Sequence, residues 1–233
     1  MATYCCADLH GRYDIYEKIC EFLKPEDTVF FLGDATDRGP DSMKLAKAIY
    51  ENPRWHYMRG NHEQMLIEAA KEYWSYNNDF KEFRYSDSYR LMKINGGAQT
   101  FYEWMTGPSP RLWISRFENL PRRHVYYSPC GITFVMSHAG FTPNGEDVSD
   151  YDLVWSRKHF HDSWDGCADN SVIIHGHTPN SHLADKINAE WEEGTPLWYC
   201  NNHKVCIDNG AVFSNEAILF NLDDCSYQLI VAN

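Results

Sequence analysis

Val29-Phe-Phe-Leu-Gly-Asp-Ala-Thr-Asp-Arg-Gly-Pro40 is the stretch from which the fold can be inferred. Its first four residues are apolar, a run that is too short for a helix and typical of a buried strand. The run ends at Gly33, and the polar residues Asp34, Asp37 and Arg38 follow directly. In open α/β sheets the strand fixes where its loop begins, and catalytic groups concentrate in such loops. A solvated charged turn is the alternative, and a short motif alone does not decide between the two.

Two further strand–loop–helix units flank this stretch along the chain. Residues 2–7 form an apolar run that precedes Asp8 and His10, and residues 55–58 form another that precedes Asn61 and His62. Three such units in succession predict a parallel sheet with right-handed crossovers. Apolar periodicity predicts the helices over residues 14–23, over residues 41–50 and from about residue 62 through residue 70.

From residue 124 onward the pattern is β-rich. Apolar runs at 124–127 and 132–136 flank a turn and predict a hairpin, which ends at His138. Another apolar run at 172–174 precedes His177, and a polar loop is expected over 143–151. Strand pairs are also predicted at 197–200 with 204–207 and at 217–222 with 227–232. We therefore expect a single domain over residues 1–233, in which two sheets pack face to face.

The segment over residues 73–123 interrupts the strand–helix alternation. It is rich in aromatic residues, it is predicted to be mostly helical, and it contains the turn Asn95-Gly-Gly97. The favoured interpretation is a helical insertion with aromatic packing of its own. A cap that selects substrates is the alternative, and the two interpretations are compatible.

Composition excludes several classes of protein. The net charge of −12 argues against a nucleic-acid partner, which requires a basic surface. The eight cysteines contain no C-x-x-C pair, and a chain of this size needs no disulfides, so they are expected to be reduced and mostly buried. No apolar run approaches the roughly 20 residues of a membrane span, and the amino terminus lacks the pattern of a secretory signal. A cytoplasmic protein without a membrane partner is expected.

The polar residues at the predicted strand ends are metal-competent. Each alone is a weak signal, but an apolar strand, a nearby glycine and a metal-binding side chain recur together. Carboxylates, an amide and imidazoles suit Mn²⁺, Fe or Zn²⁺ better than Ca²⁺ or Mg²⁺. The donors are too many for one tetrahedral zinc, whereas two ions that share a bridging carboxylate would use them. The other histidines are read as ordinary surface or core residues: His56, His124, His159, His161, His182 and His203.

In this order, the motifs resemble those of the calcineurin-like metallophosphoesterases: Asp8-x-His10, Gly33-Asp34-x-x-Asp37-Arg38-Gly39, Gly60-Asn61-His62-Glu63, His138-Ala-Gly140 and Gly176-His177. Within that group the chain is similar to the phosphoprotein phosphatase family. It resembles the compact bacterial and lambda-phage serine/threonine phosphatases through Asn95-Gly-Gly97, Val154-Trp-x-Arg157, Gly176-His-Thr-Pro179 and Ile207-Asp-x-Gly-Ala-Val-Phe213. The resemblance implies an α/β/β/α sandwich, in which two mixed sheets are flanked by helices.

The resemblance also implies roles for the site residues. The first ion would be held by Asp8, His10 and Asp34, and Asp34 would bridge to a second ion completed by Asn61, His138 and His177. Both would be divalent transition-metal ions, Mn²⁺ first and Fe or Zn²⁺ as alternatives. A hydroxide between them would attack phosphorus, His62 would protonate the departing alkoxide with Asp37 orienting it, and Arg38 and Arg157 would bind the phosphate oxygens. The pattern selects His177 over the neighbouring His175 as the ligand.

Three functions are compatible with this resemblance. The leading one is a phosphomonoesterase that acts on phosphoserine and phosphothreonine in proteins or peptides. The first alternative is a symmetrical diadenosine polyphosphate hydrolase on the same metal core, which a basic and aromatic-lined nucleotide pocket in residues 73–123 would favour. A non-catalytic binding scaffold is disfavoured because every ligand and acid position is filled, and a nuclease is disfavoured by the acidic charge.

Overall fold

The first sheet contains the predicted parallel strands at its centre and one edge. In a computed structural model, which describes residues 1–143, 148–164 and 170–232, this sheet has the order β10-β9-β1-β2-β3. Strands β1, β2 and β3 are parallel, and β9 and β10 continue the sheet in antiparallel pairing. The parallel part confirms the prediction from the three strand–loop–helix units. The strands span β1 Thr3–Cys6, β2 Thr28–Phe31, β3 Trp55–Tyr57, β9 Glu216–Asn221 and β10 Tyr227–Val231.

Helices α1 Tyr13–Phe22, α2 Ser42–Glu51 and α3 Asn61–Ser75 follow the three parallel strands. Their buried residues recur at helical spacing, such as Ile15 and Ile19 in α1. These side chains pack with Phe31 and Tyr57 in one core on the outer face of the first sheet. Burial of one apolar stripe per helix therefore places the three loops at one edge of the sheet.

The second sheet is mixed and has the order β4-β5-β6-β8-β7. Its hairpins β4–β5 and β7–β8 are antiparallel, as predicted, whereas β5, β6 and β8 are mutually parallel. Their apolar runs are short and continuous, which is typical of strands that are buried on both faces. The strands span β4 Arg123–Tyr127, β5 Thr133–Ser137, β6 Ser171–His175, β7 Leu197–Tyr199 and β8 Lys204–Cys206.

Three short helices accompany the second sheet: α8 Asp150–Trp155, α9 Asn180–Ile187 and α10 Ala211–Ser214. A 3₁₀ turn spans Lys158–His161. The sequence pattern did not predict α9, because only Leu183 and Ala184 of this helix are buried apolar residues. Residues 144–147 of the predicted polar loop lie outside the described residues.

The two sheets pack face to face, and this confirms the predicted sandwich. The apolar layer between them combines side chains from the parallel strands of both sheets. It contains Phe30, Leu32 and Met58 from the first sheet and Phe134, Met136, Val172 and Ile174 from the second. The carboxyl ends of β1, β2, β3, β5 and β6 consequently meet at one edge of the sandwich.

Residues 73–123 are helical, with α4 Phe80–Phe83, α5 Asp87–Ile94, α6 Ala98–Thr106 and α7 Pro110–Glu118. Local signals start these helices: Asp79 and Ser86 cap α4 and α5 through their side chains, and Pro110 opens α7. The aromatic rings pack against one another and are continuous with the core formed by α1 and α2. The insertion therefore extends the main core rather than forming a separate one.

The seven cysteines in the described part of the chain are all free thiols, and Cys167 lies outside it. Three of the seven are buried, namely Cys5, Cys6 and Cys206, whereas Cys130 is exposed. The expectation that most are buried is therefore wrong for this set, since half-buried thiols are tolerated at the rim of the core. Among the described helices, none combines the length and apolarity that crossing a membrane requires.

Candidate metal centre and active site

The predicted ligands converge at the edge where the parallel strands end. The donor atoms of Asp8, Asp34 and His138 lie within 4.8 Å of one another, and so do those of His10, Asp34 and His62. All of these residues are buried. Asp34 belongs to both groups, which is the position expected of a bridging carboxylate. Asp34 thus connects His10 and His62 on one side with Asp8 and His138 on the other.

A third set of donors surrounds the side chain of Asn61. Its Oδ1 atom lies 2.8 Å from Nε2 of His138 and 2.9 Å from Nδ1 of His177. Asp34 Oδ2 is 3.4 Å from the same His138 nitrogen. The structure thus brings all six predicted ligands together. His175 faces elsewhere, since its Nε2 atom lies 2.8 Å from the Tyr199 hydroxyl.

The hydrogen bonds of the imidazoles leave nitrogen lone pairs for a metal. Nδ1 of His10 donates to the Thr36 carbonyl at 2.8 Å, and Nδ1 of His138 donates to the Leu32 carbonyl at 3.0 Å. A histidine ligand is usually oriented by such a bond from its second nitrogen. Nε2 of His177 is buried without a hydrogen-bond partner.

The charges of the centre also fit cations. Burial, followed by the neighbouring Asp208, holds the pKa of Asp8 well above its usual range. Burial also opposes ionisation of Asp34, but the imidazoles of His138, His62 and His10 together outweigh it and the pKa of Asp34 falls well below normal. Burial would lower the pKa of His138, yet Asp34 and Asp8 raise it to about 9. Carboxylates that are crowded and buried in this way are stabilised by bound cations.

Two glycines allow the carboxylates to approach the backbone closely. A Cβ atom at Gly60 would lie 2.1 Å from Oδ1 of Asp34, and one at Gly176 would lie 2.0 Å from Oδ2 of Asp8. Any side chain would displace the carboxylates, so both positions require glycine. The donor types, the convergence and these close approaches together fit a pair of divalent transition-metal ions.

His62 and Asp37 form a buried pair beside this centre. Nδ1 of His62 donates to Oδ2 of Asp37 at 2.6 Å, and both side chains are completely buried. The hydroxyl of Thr100 in α6 lies 3.2 Å from the Asp37 nitrogen, so the insertion contacts this pair directly. The bond fixes the His62 tautomer and directs Nε2 towards Arg38. This arrangement suits a general acid that is oriented by a carboxylate.

Both predicted phosphate-binding arginines lie at the rim. The guanidinium of Arg38 lies 2.8 Å from Nε2 of His10 and 3.0 Å from Nε2 of His62. Arg157 is exposed and its Nε donates to the Thr178 hydroxyl at 2.8 Å, next to His177. Burial lowers the pKa of Arg157, and Asp8 and Arg38 are the charged groups that influence it most. The two guanidinium groups therefore border the same opening.

Glu63 is a residue whose importance the sequence did not reveal. Its completely buried carboxylate accepts hydrogen bonds from the backbone nitrogens of Asp34, Ala35, Thr36 and Gly60, at 2.9 to 3.3 Å. The hydroxyl of Tyr57 donates to it as well, at 2.9 Å. Glu63 belongs to the motif Gly60-Asn61-His62-Glu63, and its position at the third residue of helix α3 is the signal that indicates a capping role.

Asp208 is a second residue to which no role was assigned. It is buried, its Oδ1 atom accepts a hydrogen bond from the Gly210 nitrogen at 2.8 Å, and burial raises its pKa to about 6. It also acts on the pKa of Asp8. Its motif, Ile207-Asp-x-Gly210, was the available signal.

The comparisons with known proteins agree with this geometry. The family model described as calcineurin-like phosphoesterase matches residues 1–207. Serine/threonine-protein phosphatase 1 of Salmonella typhimurium is 26% identical over 229 residues, which cover 91% of this chain and 88% of that protein. The asymmetrical bis(5'-nucleosyl)-tetraphosphatase PrpE of Oceanobacillus iheyensis is 25% identical over 217 residues, which cover 81% of this chain and 71% of that protein.

The fold is also found among solved structures. A protein serine/threonine phosphatase from Saccharomyces cerevisiae superposes with a TM-score of 0.62 at 16% identity, covering 100% of this chain and 80% of that one. At this level of identity the similarity concerns the fold alone. The relatives that resemble this chain thus include enzymes with different substrates.

Proposed function

This chain belongs to the calcineurin-like phosphoesterase family, and we propose that it is a metal-dependent serine/threonine protein phosphatase. The pair His62–Asp37 is the observation that carries this proposal. A serine or threonine alkoxide is a poor leaving group and needs a proton as the P–O bond breaks, whereas a phosphate leaving group needs it much less. A buried and oriented acid is therefore most useful for an alkyl phosphomonoester.

In such a reaction, different residues of the chain would bind the phosphate, deliver the proton and hold the metal ions. Arg38 and Arg157 bind the phosphoryl oxygens and stabilise their negative charge in the transition state. His62 delivers a proton from Nε2, and Asp37 stabilises the imidazolium through Nδ1. Asp8, His10, Asp34, Asn61, His138 and His177 would hold two divalent ions, with Mn²⁺ the ion of choice. Such ions, when bound, neutralise phosphate charge and make water a stronger nucleophile at neutral pH.

Two further observations support a protein substrate. The match to the Salmonella phosphatase extends over more of both chains than the match to PrpE. In addition, Tyr76, Phe80, Tyr85 and Tyr102 of the insertion are exposed, whereas six other rings are buried in the core, where they are unable to stack on a nucleobase. They comprise Tyr73, Phe83, Phe101, Trp104, Trp113 and Phe117. The proposed substrates are accordingly phosphorylated proteins or peptides.

The test compares two substrates on one preparation. The protein is stripped with a chelator and reloaded with Mn²⁺, and phosphate release is measured from a phosphothreonine peptide and from diadenosine tetraphosphate. We expect Mn²⁺-dependent turnover of the peptide with the dinucleotide inert, and no turnover of either by Asp34→Asn. Preference for the dinucleotide would replace the proposal with the diadenosine polyphosphate hydrolase on the same site. Inactivity on both substrates, in folded protein that binds Mn²⁺, would support a non-catalytic role.

A further inference from the structure

A group of buried polar side chains lies beneath the loops of the second sheet, outside the proposed machinery. It consists of His159, which follows Arg157 by two residues, and Lys204 of β8. His159 is 4% exposed and Lys204 is completely buried. Burial of polar groups is costly unless they form hydrogen bonds, so the bonds of these two residues indicate what they hold in place.

Lys204 joins two segments of the connection between β5 and β6. Its Nζ atom donates to the hydroxyl of Thr142 at 2.5 Å and to the carbonyl of His159 at 2.7 Å. Thr142 lies in the loop that follows His138, and His159 lies in the 3₁₀ turn that follows Arg157. The ammonium group thus connects the segment after a metal ligand with the segment after a phosphate-binding arginine.

His159 makes a second connection between the same two segments. Its Nε2 donates to the carbonyl of Ala139 at 2.8 Å, directly after His138. A Cβ atom at Gly140 would lie only 2.8 Å from Cε1 of His159, so the ring is in close contact with this loop. Burial, with a contribution from Lys204, lowers the pKa of His159 to about 3. The ring is therefore neutral, and Nε2–H is its donor.

We propose that His159, held by Lys204, is a positioning residue that fixes Arg157 relative to His138 and so sets the affinity of the site for the phosphoryl group. Arg157 is exposed. Its Nε donates to the Thr178 hydroxyl, and its carbonyl accepts a hydrogen bond from the Phe160 nitrogen at 3.5 Å. The turn Lys158–His161 would otherwise leave the guanidinium free to move away from Arg38. This inference rests on the proposed role of Arg157 in phosphate binding.

The first experiment removes the donor while preserving the bulk of the side chain. His159→Met and Lys204→Met are compared with His161→Met and Lys158→Met, which alter exposed neighbours in the same turn. Calorimetric titration of the Mn²⁺-loaded protein with inorganic phosphate measures affinity without turnover. We expect the dissociation constant for phosphate to rise about tenfold in the first two variants, which corresponds to the loss of one good hydrogen bond. Phosphate affinity in the two control variants, and Mn²⁺ affinity in all four, should remain unchanged.

His159→Gln provides the conservative variant, because its amide nitrogen can replace Nε2 as the donor to Ala139. We expect it to bind phosphate within about twofold of the original protein. If His159→Met lowers only the melting temperature and leaves phosphate affinity unchanged, the residue is merely structural and the proposal is wrong. If Mn²⁺ affinity falls in parallel with phosphate affinity, the residue acts on His138 rather than on Arg157, which also overturns it.

A double-mutant cycle tests whether the effect passes through Arg157. Arg157→Met should weaken phosphate binding, and adding His159→Met should then have no further effect. Additive losses would overturn the proposal. Because these titrations use phosphate itself, they remain informative if the phosphopeptide is not hydrolysed, so failure of the proposed function is distinguishable from failure of this inference.

Discussion

The two sheets deliver ligands to one centre by different physical means. In the loops of the first sheet, Asp8, His10, Asp34, Asp37 and Arg38 all have positive φ angles between 42° and 71°. Such left-handed backbone is costly for residues with a side chain and persists only where the surroundings hold it. In the loops of the second sheet that carry the ligands, His177 has this conformation and His138 does not.

The supports differ in the same way. In the first sheet, the strained loop that carries Asp34 is held by the carboxylate of Glu63, which also binds the backbone nitrogen of Gly60 in the loop after β3. The loops of the second sheet are held by a neutral imidazole and an ammonium group, those of His159 and Lys204. We infer that changes to the support of the first sheet affect the chemical step and the fold, whereas changes to His159 and Lys204 mainly affect substrate binding.

His62→Asn should produce the largest effect and would sharpen this division. We expect kcat for a phosphothreonine peptide to fall about 10²- to 10⁴-fold, because the departing alkoxide loses its proton donor. Steady-state kinetics with p-nitrophenyl phosphate, which has a better leaving group, should show a much smaller loss. Arg157→Met, from the second sheet, should instead raise KM more than it lowers kcat. If His62→Asn lowered kcat by the same factor for both substrates, His62 would not be the general acid.

Glu63→Ala should produce the next largest effect, on stability. Four backbone N–H groups would lose their shared acceptor in a buried position, and the free energy of unfolding should fall by about 3 kcal/mol. Urea denaturation measures the change, and titration with Mn²⁺ should show about 10- to 100-fold weaker binding. Glu68→Ala, which alters an exposed carboxylate on the same helix, should leave both quantities unchanged. An unchanged free energy of unfolding in Glu63→Ala would show that this carboxylate does not support the loops of the first sheet.

The pH dependence of stability tests the support of the second sheet. The pKa of His159 is about 3 in the native protein, whereas an unfolded histidine titrates near 6.5. Acid therefore favours the unfolded chain, and His159 should lower the free energy of unfolding by about 1.4 kcal/mol per pH unit as the pH falls from 6.5 towards 3. This component should be missing in His159→Gln and retained in His161→Gln, as measured by denaturation at several pH values. Identical slopes for both variants would show that His159 is not held neutral.

Gly131→Ala should give the smallest effect, because it lies in the β4–β5 turn away from the metal centre. Its φ angle is +87° and an added Cβ would meet nothing within 4 Å, so the cost is that of the backbone alone. We expect a loss of about 1 kcal/mol in unfolding free energy with unchanged kcat and KM. A change in activity would mean that the turn and the centre are coupled.

The sequence predicted the first sheet well because its signals are local. Each parallel strand is a short apolar run followed by glycine and polar residues, and each helix repeats apolar residues at its own period. The parallel pairing of β5, β6 and β8 was not predicted, since pairing between distant strands leaves no local pattern. Helix α9 was missed because its apolar stripe is too short to stand out.

In the candidate site, too, the residues that local motifs contain were predicted, and those whose role depends on contacts between loops were not. The six donors and the pair His62–Asp37 could be named from motifs, and the structure brings them together. The shared role of the Glu63 carboxylate depends on the loops after β2 and β3 meeting, and spacing does not show this. For the same reason His159 was indistinguishable in sequence from an ordinary core histidine.

The position of β1 has a consequence for biosynthesis. Tyr4 pairs with Val29 on one side and with Asn221 on the other, so β1 is translated long before the strand that covers its second edge. During translation the carboxylates of Asp8 and Asp34 emerge long before His138 and His177. The nascent chain therefore carries an incomplete ligand set until His177 has been translated and an open strand edge until β9 has left the ribosome, and this interval is when it most needs protection from aggregation.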